Sequence, residues 1–389
     1  MTPAPRHSRL PRGAVRRLLP LVLLALAPLA FGGAWPDLSQ PPAEPTTDGA
    51  YDVAVVIGIE DYASLPDIPG ADENASDWYT WFTKGRGLRP GRVELLRNNQ
   101  ATDGGISDAV DKALRYLQET VDAGQTPGTF WFVFVGHGSP SPDSAIKDAL
   151  LVGYDASATA NGLLQRSVRR DALLARIEAG PQRQTVAVLD ACFNGKSSGG
   201  ETLAPGLQLA LSTRETRQTP KGAAVFTASR GNQVAGPLPG LGRPAMSYLM
   251  LGALRGWGDR NRDGAITASE ALDYSLDAMR TVVKTRPQEP ELWGESGGAT
   301  LSRAGERGPD LTTFVLSSGG TSVGGGAVSV QEQQLQEMMR QAEEAARQQQ
   351  AAEQAAKRAA DELRRMQDER LASLESDTKA GATRLWAQS

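Results

Sequence analysis

The sequence predicts an α/β fold, with a mostly parallel sheet and helices on both of its faces. Three observations carry this. Asp52-Val-Ala-Val-Val-Ile-Gly-Ile59 and similar runs are continuously apolar and rich in β-branched residues, the pattern of strands buried on both faces. Segments of helical period lie between these runs, and that alternation marks a sheet built from crossover units. His137 and Cys192 each directly follow such a run, which places both at the carboxyl edge, where parallel sheets collect their chemistry.

In chain order, Arg6, Arg9, Arg12, Arg16 and Arg17 precede an apolar stretch from Leu18 to Phe31, then small residues through Ala34. This is the layout of a secretory signal, so residues 1–34 are expected to direct export, to the periplasm or out of the cell. An uncleaved signal would leave the chain membrane-anchored. Residues 35–50 are Pro-rich and polar and read as a flexible lead-in. The domain proper is expected over 51–316. Its elements are the strand at 52–59, a helix over Ala71–Thr83, a short strand at Val93–Arg97 and an amphipathic helix over Gly105–Ala123. Then come the strand ending in Val135-Gly-His-Gly138, a helix over Ser167–Glu178, the strand ending at Cys192, a strand over Gly222–Ser229 and a last strand at Asp310–Ser317. Residues 317–328 form a Gly/Ser linker. The segment 329–375 is rich in Ala, Gln, Glu and Arg with an approximate heptad, which fits either a solvated helix or a coiled coil through which the chain self-associates.

Forty-one basic residues against 45 acidic ones leave a net charge of −4, and no basic stripe stands out, which argues against nucleic acid as the main partner. The single cysteine excludes an intrachain disulfide, so an exported chain must be stabilised by its core. A lone cysteine is commonly a small buried filler. Here it ends a strand in a Gly-flanked turn, as does His137, and a thiol needs such a base to become nucleophilic.

Val135-Gly-His-Gly138 and Asp190-Ala-Cys-Phe-Asn-Gly195 resemble the two active-site signatures of the caspase-like cysteine peptidases, closest to the metacaspase and bacterial orthocaspase branch. The spacing from 137 to 192 is 55 residues, against about 50 in the caspase signature. The resemblance runs from Asp52 to about Gly294 and implies a three-layer α/β/α caspase-like fold. It also implies a cysteine endopeptidase acting on protein or peptide substrates, with Cys192 as nucleophile and His137 as the general acid for the leaving amine. Backbone N–H groups of Gly138 and Cys192 would form the oxyanion site, each donor worth about 3 kcal/mol. By the same resemblance Asp190, helped by Asp72, would select a basic side chain before the scissile bond; the other reading of Asp190 is a cap on the following turn. Two positions depart from the family pattern: Asn74 stands where it usually has Asp, and Val135 where it has a small polar residue. Lys196–Lys221 matches the place of the intersubunit linker that such enzymes often cut; a solvated loop with ordinary surface charges is the other and more economical reading.

Asp259-Arg-Asn-Arg-Asp-Gly-Ala-Ile-Thr-Ala-Ser-Glu270 fits the twelve-residue EF-hand calcium loop. Its candidate ligands are Asp259, Asn261, Asp263, the Ala265 carbonyl, Thr267 and a bidentate Glu270. This hard oxygen set suits Ca²⁺. Expected helices at Met246–Trp257 and Ala268–Val283 flank it; a helix cap with incidental acids is the other reading. The function expected is a calcium-binding cysteine endopeptidase cutting after Arg or Lys, and the alternative is an idle caspase-like scaffold.

Overall fold

The computed structural model describes residues 34–314, apart from 47, 144, 147, 198, 205, 206, 208–222, 231, 232, 295, 296 and 304. The expected signal, Gly/Ser linker, helical tail and most of the Lys196–Lys221 segment lie outside these residues. Among the described residues no helix is long and apolar enough to cross a membrane.

The elements in chain order are β1 (Val53–Gly58), α1 (Ala71–Thr80), β2 (Val93–Arg97), α2 (Asp103–Asp122), β3 (Thr129–Val135), β4 (Gly138–Pro140), β5 (Ala149–Val152), α3 (Ala160–Gln165) and β6 (Ser167–Arg169). They continue as α4 (Arg170–Glu178), β7 (Gln184–Asp190), β8 (Ala223–Thr227), α5 (Ala245–Gly252), β9 (Ala265–Thr267), α6 (Ala268–Val282), β10 (Glu291–Trp293) and β11 (Thr300–Arg303). Six strands form the central sheet in the order β10-β8-β7-β3-β1-β2. All neighbours are parallel except β10, which runs antiparallel to β8.

Alternation along each strand makes the three layers. Ala54 and Val56 of β1 face one core with α1, α5 and α6, whereas Val53, Val55 and Ile57 face the other with α2 and α4. Gly58 allows the first helix its approach: a Cβ there would lie 2.6 Å from the Ala71 carbonyl oxygen. At the amino edge of the sheet, buried Asp52 ties three elements together. Its carboxylate accepts from the Thr129 N–H at 2.8 Å, the Trp131 indole at 3.1 Å and the Arg86 guanidinium at 2.7 Å.

Three expectations are corrected by the fold. Residues 35–50 are not a loose lead-in: Trp35 and Leu38 are buried, Trp35 stacks on Phe314 at 4.3 Å, and Arg255 donates to the Leu38 and Gln40 carbonyls. The helix expected from Ser167 begins at Arg170, because Ser167–Arg169 pairs with β5 in a three-stranded antiparallel sheet, β4-β5-β6. The described part of Asp310–Ser317 is a helical turn that the Asp310 carboxylate caps by accepting the Thr312 N–H at 2.9 Å. The last place in the main sheet belongs instead to β10.

Candidate active site and calcium loop

His137 and Cys192 follow neighbouring strands. Val135 of β3 pairs with Asp190 of β7, so the chain two residues beyond each partner carries the imidazole and the thiol to the same stretch of the sheet edge. Both line one cleft of about 220 Å³ with Ile68, Asp190, Lys196 and the Ala235–Pro237 strap.

His137 is fixed from three sides. Its backbone N–H donates to the Tyr62 hydroxyl at 2.7 Å, its ring packs 4.7 Å from that of Tyr62, and Nε2 lies 2.7 Å from the Pro66 carbonyl oxygen. A carbonyl only accepts, so Nε2 carries the proton and Nδ1 remains the ring's basic nitrogen. Burial pushes the His137 pKa down to about 4, against smaller upward pulls from the Pro66 carbonyl and Asp67.

The thiol is buried as well. Cys192 Sγ accepts the Ala235 N–H at 2.8 Å and lies 3.4 Å from the Ala235 carbonyl oxygen. Burial pushes its pKa up to about 12; the Ala235 N–H and Arg286 pull it down, whereas Asp190 pushes it further up. At neutral pH the resting pair is therefore a thiol and a neutral imidazole rather than a preformed ion pair. Gly138 is needed for close approach, since a Cβ there would sit 2.7 Å from the Cys192 carbonyl oxygen. Arg170 lies over the Phe193 and Trp293 rings at 4.8 and 4.9 Å, which braces the residue after Cys192.

Asp190 sits in the cleft wall, with Oδ2 accepting both the N–H and the hydroxyl of Ser247 at 2.7 Å. Burial pushes its pKa up, and the two Ser247 donors and Arg286 oppose that. Asp72 is placed elsewhere: its carboxylate pairs with Arg97, outside the residues lining this cleft. Asn74 is buried and bonded to Ser247 and Arg243. Tyr62, Ser247 and the Gln233–Pro237 strap carry no local sequence signal of their own; a hydroxyl two residues into a helix and an apolar turn are common anywhere.

The Asp259–Glu270 segment follows the helical turn Ala253–Trp257 that continues α5 and runs through β9 into the first turn of α6. Arg262 at its fourth position has φ 60° and Gly264 at its sixth φ 80°, so the chain turns sharply where the motif requires. The Asp259 carboxylate accepts the Asp263 and Gly264 N–H groups, both at 3.1 Å. Glu270 closes a capping box with Thr267. Ile266 is buried and its strand β9 pairs with β11 of the same domain. The loop's donors are hard oxygens and suit Ca²⁺. Among the described residues no three His, Cys, Asp or Glu groups stand close enough together to hold a metal ion by themselves.

The protein is thus a three-layer α/β domain with a cysteine and a histidine at adjacent strand ends over one cleft. Residues 52–292 match the caspase domain family, and the chain belongs to it; members of this family are cysteine peptidases, hydrolases of peptide bonds. Among solved structures, pro-sf-caspase-1 is similar at 12% identity and a TM-score of 0.33, over 76% of this chain and 97% of that one. No curated protein matches the chain.

Proposed function

We propose that this protein is an endopeptidase that cuts after Arg or Lys through a Cys192/His137 dyad, and that it binds calcium at Asp259–Glu270. The observation that supports it most is the β3–β7 register, which brings the thiol, the imidazole and the Asp190 carboxylate to one cleft. In this reading Cys192 Sγ attacks the peptide carbonyl carbon while its proton passes to His137. The imidazolium then protonates the amine as the C–N bond breaks, leaving an acyl-thioester. Water adds to that ester with His137 taking its proton, which releases the acid and restores the thiol. N–H groups of Gly138 and Cys192 would receive the oxyanion.

The depressed imidazole and raised thiol fit a resting state in which proton transfer awaits a substrate. Asp190 would pair with the guanidinium or ammonium of the residue before the scissile bond. Calcium would be held by Asp259, Asn261, Asp263, Thr267, Glu270 and the Ala265 carbonyl. There it supplies no chemistry to the dyad and instead ties the end of α5 to the start of α6. Export and association through the 329–375 helix belong to the same proposal and rest on the sequence pattern alone.

One observation favours a second reading, an idle scaffold: the thiol is buried and bonded to the Ala235 backbone. Hydrolysis of fluorogenic peptides ending in Arg, Lys, citrulline or Asp, by wild type and Cys192→Ala with and without calcium, separates the two. Turnover after Arg or Lys that is lost in the variant supports the peptidase. A chain that neither turns over peptides nor takes up a thiol-directed peptide probe supports the scaffold.

A further inference from the structure

Behind Asp190 lies a row of buried polar groups that the dyad does not use. Asn74, Asp190 and Ser247 are 1%, 5% and 0% exposed, and their partners leave one consistent way to place the hydrogens. The Asn74 amide nitrogen donates to the Pro244 carbonyl at 2.9 Å, and a carbonyl only accepts, so the orientation of that amide is set. Its oxygen then accepts from Arg243 Nε at 2.7 Å, and its second N–H points at Ser247 Oγ, 2.8 Å away. Having accepted there, the Ser247 hydroxyl has its own proton free for Asp190 Oδ2 at 2.7 Å. The Ser247 backbone N–H occupies the same oxygen, so Oδ2 is an acceptor with no room for a proton. One donor of each group in the row, Arg243 Nε, the second Asn74 N–H and the Ser247 hydroxyl, is aimed along it toward the Asp190 carboxylate. The far end is anchored as well, because Arg243 pairs with Asp77.

We propose that Ser247, oriented by Asn74 and Arg243, is a positioning residue for substrate selection: it holds the Asp190 carboxylate ionised and turned so that it can read a cationic side chain in the cleft. This rests on the reading that Asp190 selects Arg or Lys. The need for such a device is visible in the burial of Asp190, which by itself favours the neutral acid and would leave the cleft without a charge. Besides the row itself, the charged and titratable groups around Asp190 are Arg286, Cys192 and, along the cleft, His137 and Lys196. None of these shares a hydrogen bond with Oδ2 in the way Ser247 does.

The test uses the full chain. Carbon-13 NMR of Asp-labelled protein, with the Asp190 signal assigned through Asp190→Asn, reads that carboxyl's titration without needing turnover. Ser247→Ala should move it upward by about one to two pH units, the worth of one hydrogen bond to a charged group, and Ser247→Thr should return it. Asn74→Asp keeps Ser247 in place but competes for its one hydroxyl proton, and should move the titration the same way. An Asp190 titration that stays put in Ser247→Ala and Asn74→Asp overturns the proposal.

Kinetics provide the second arm. The ratio of kcat/KM for Arg over citrulline, its neutral isostere, should fall about tenfold in Ser247→Ala, with the citrulline rate held. An equal fall for both peptides means a merely structural role and also overturns it. A wild-type chain that cuts through Cys192 yet does not prefer Arg over citrulline sinks the reading of Asp190 and this proposal together. Preference for Arg in wild type, retained in Ser247→Ala, sinks this proposal alone.

Discussion

Val135 and Asp190 are partners in the β3–β7 ladder, and His137 and Cys192, the proposed dyad, stand two residues beyond them. The geometry of the cleft is thus a property of strand register. A slip of one residue would turn each side chain to the opposite face. Removing either group of the dyad should therefore abolish turnover without dissolving the fold. Cys192→Ala is expected to leave no measurable hydrolysis and His137→Ala to cost at least about 100-fold in kcat, with circular dichroism unchanged for both.

The buried, neutral imidazole makes a pH prediction about stability. The folded pKa of about 4 lies below the ordinary 6.5, so between those values the unfolded ring takes up a proton that the folded ring refuses. Its contribution is complete above 6.5 and is lost as pH falls through that window. Urea unfolding at several pH values should show wild type losing up to about 3 kcal/mol more than His137→Gln between pH 6.5 and 4. Parallel curves for the two proteins would contradict the burial argument.

The thiol should be slow to react at rest. With its pKa raised to about 12 and the Ala235 N–H on its sulfur, Cys192 is expected to be alkylated by iodoacetamide at neutral pH far more slowly than a free cysteine. Gln288 helps hold the covering strap, its side-chain oxygen accepting the Gly236 N–H at 3.2 Å. Gln288→Ala should accelerate the alkylation, and a rate unchanged by it would mean the strap opens elsewhere.

Asp190→Asn keeps the size of the side chain and removes its charge. If the carboxylate reads a cation, kcat/KM for Arg and Lys peptides should fall about 10- to 100-fold, while that for a citrulline peptide barely moves.

Calcium at Asp259–Glu270 should be weak, with Kd about 10⁻⁴ to 10⁻³ M. Calorimetry should show one site that Asp259→Ala removes. A tenfold excess of calcium over Kd should add about 1.4 kcal/mol to stability, and chelator should reverse that.

At the other edge of the sheet, Asp52→Ala would leave the buried Arg86 without its anion and the Thr129 N–H and Trp131 indole without their acceptor. A loss of about 3 to 5 kcal/mol is expected in denaturant unfolding, the cost of breaking a buried ion pair from one side.

Much of this protein was legible in its residues. The runs at 52–59, 129–135 and 184–190 could only be strands covered on both faces, because continuous β-branched and aromatic sequence has no polar side to turn to water. His137 and Cys192 stood out as candidates because each interrupts such a run at its end, and the Asp259–Glu270 loop because its motif spacing is local. Short elements were not legible. β4, β5 and β6 are three or four residues long and owe their form to one another, a pairing that periodicity does not register. Nor did the composition of residues 35–50 reveal that Trp35 has a pocket against Phe314 and Pro239.

The sequence by itself determined the class of fold and the candidates for the reacting groups, since both follow from local pattern: which residues must be hidden, and which chemistry is present at all. Tertiary structure decided the states of those groups. Whether Cys192 rests as thiol or thiolate, whether Asp72 or Asp190 reaches the cleft, and which hydroxyl faces the Asp190 carboxylate depend on neighbours distant along the chain, as with Ser247, 57 residues away. Such neighbours act through burial and directed hydrogen bonds, which exist only once the layers have closed.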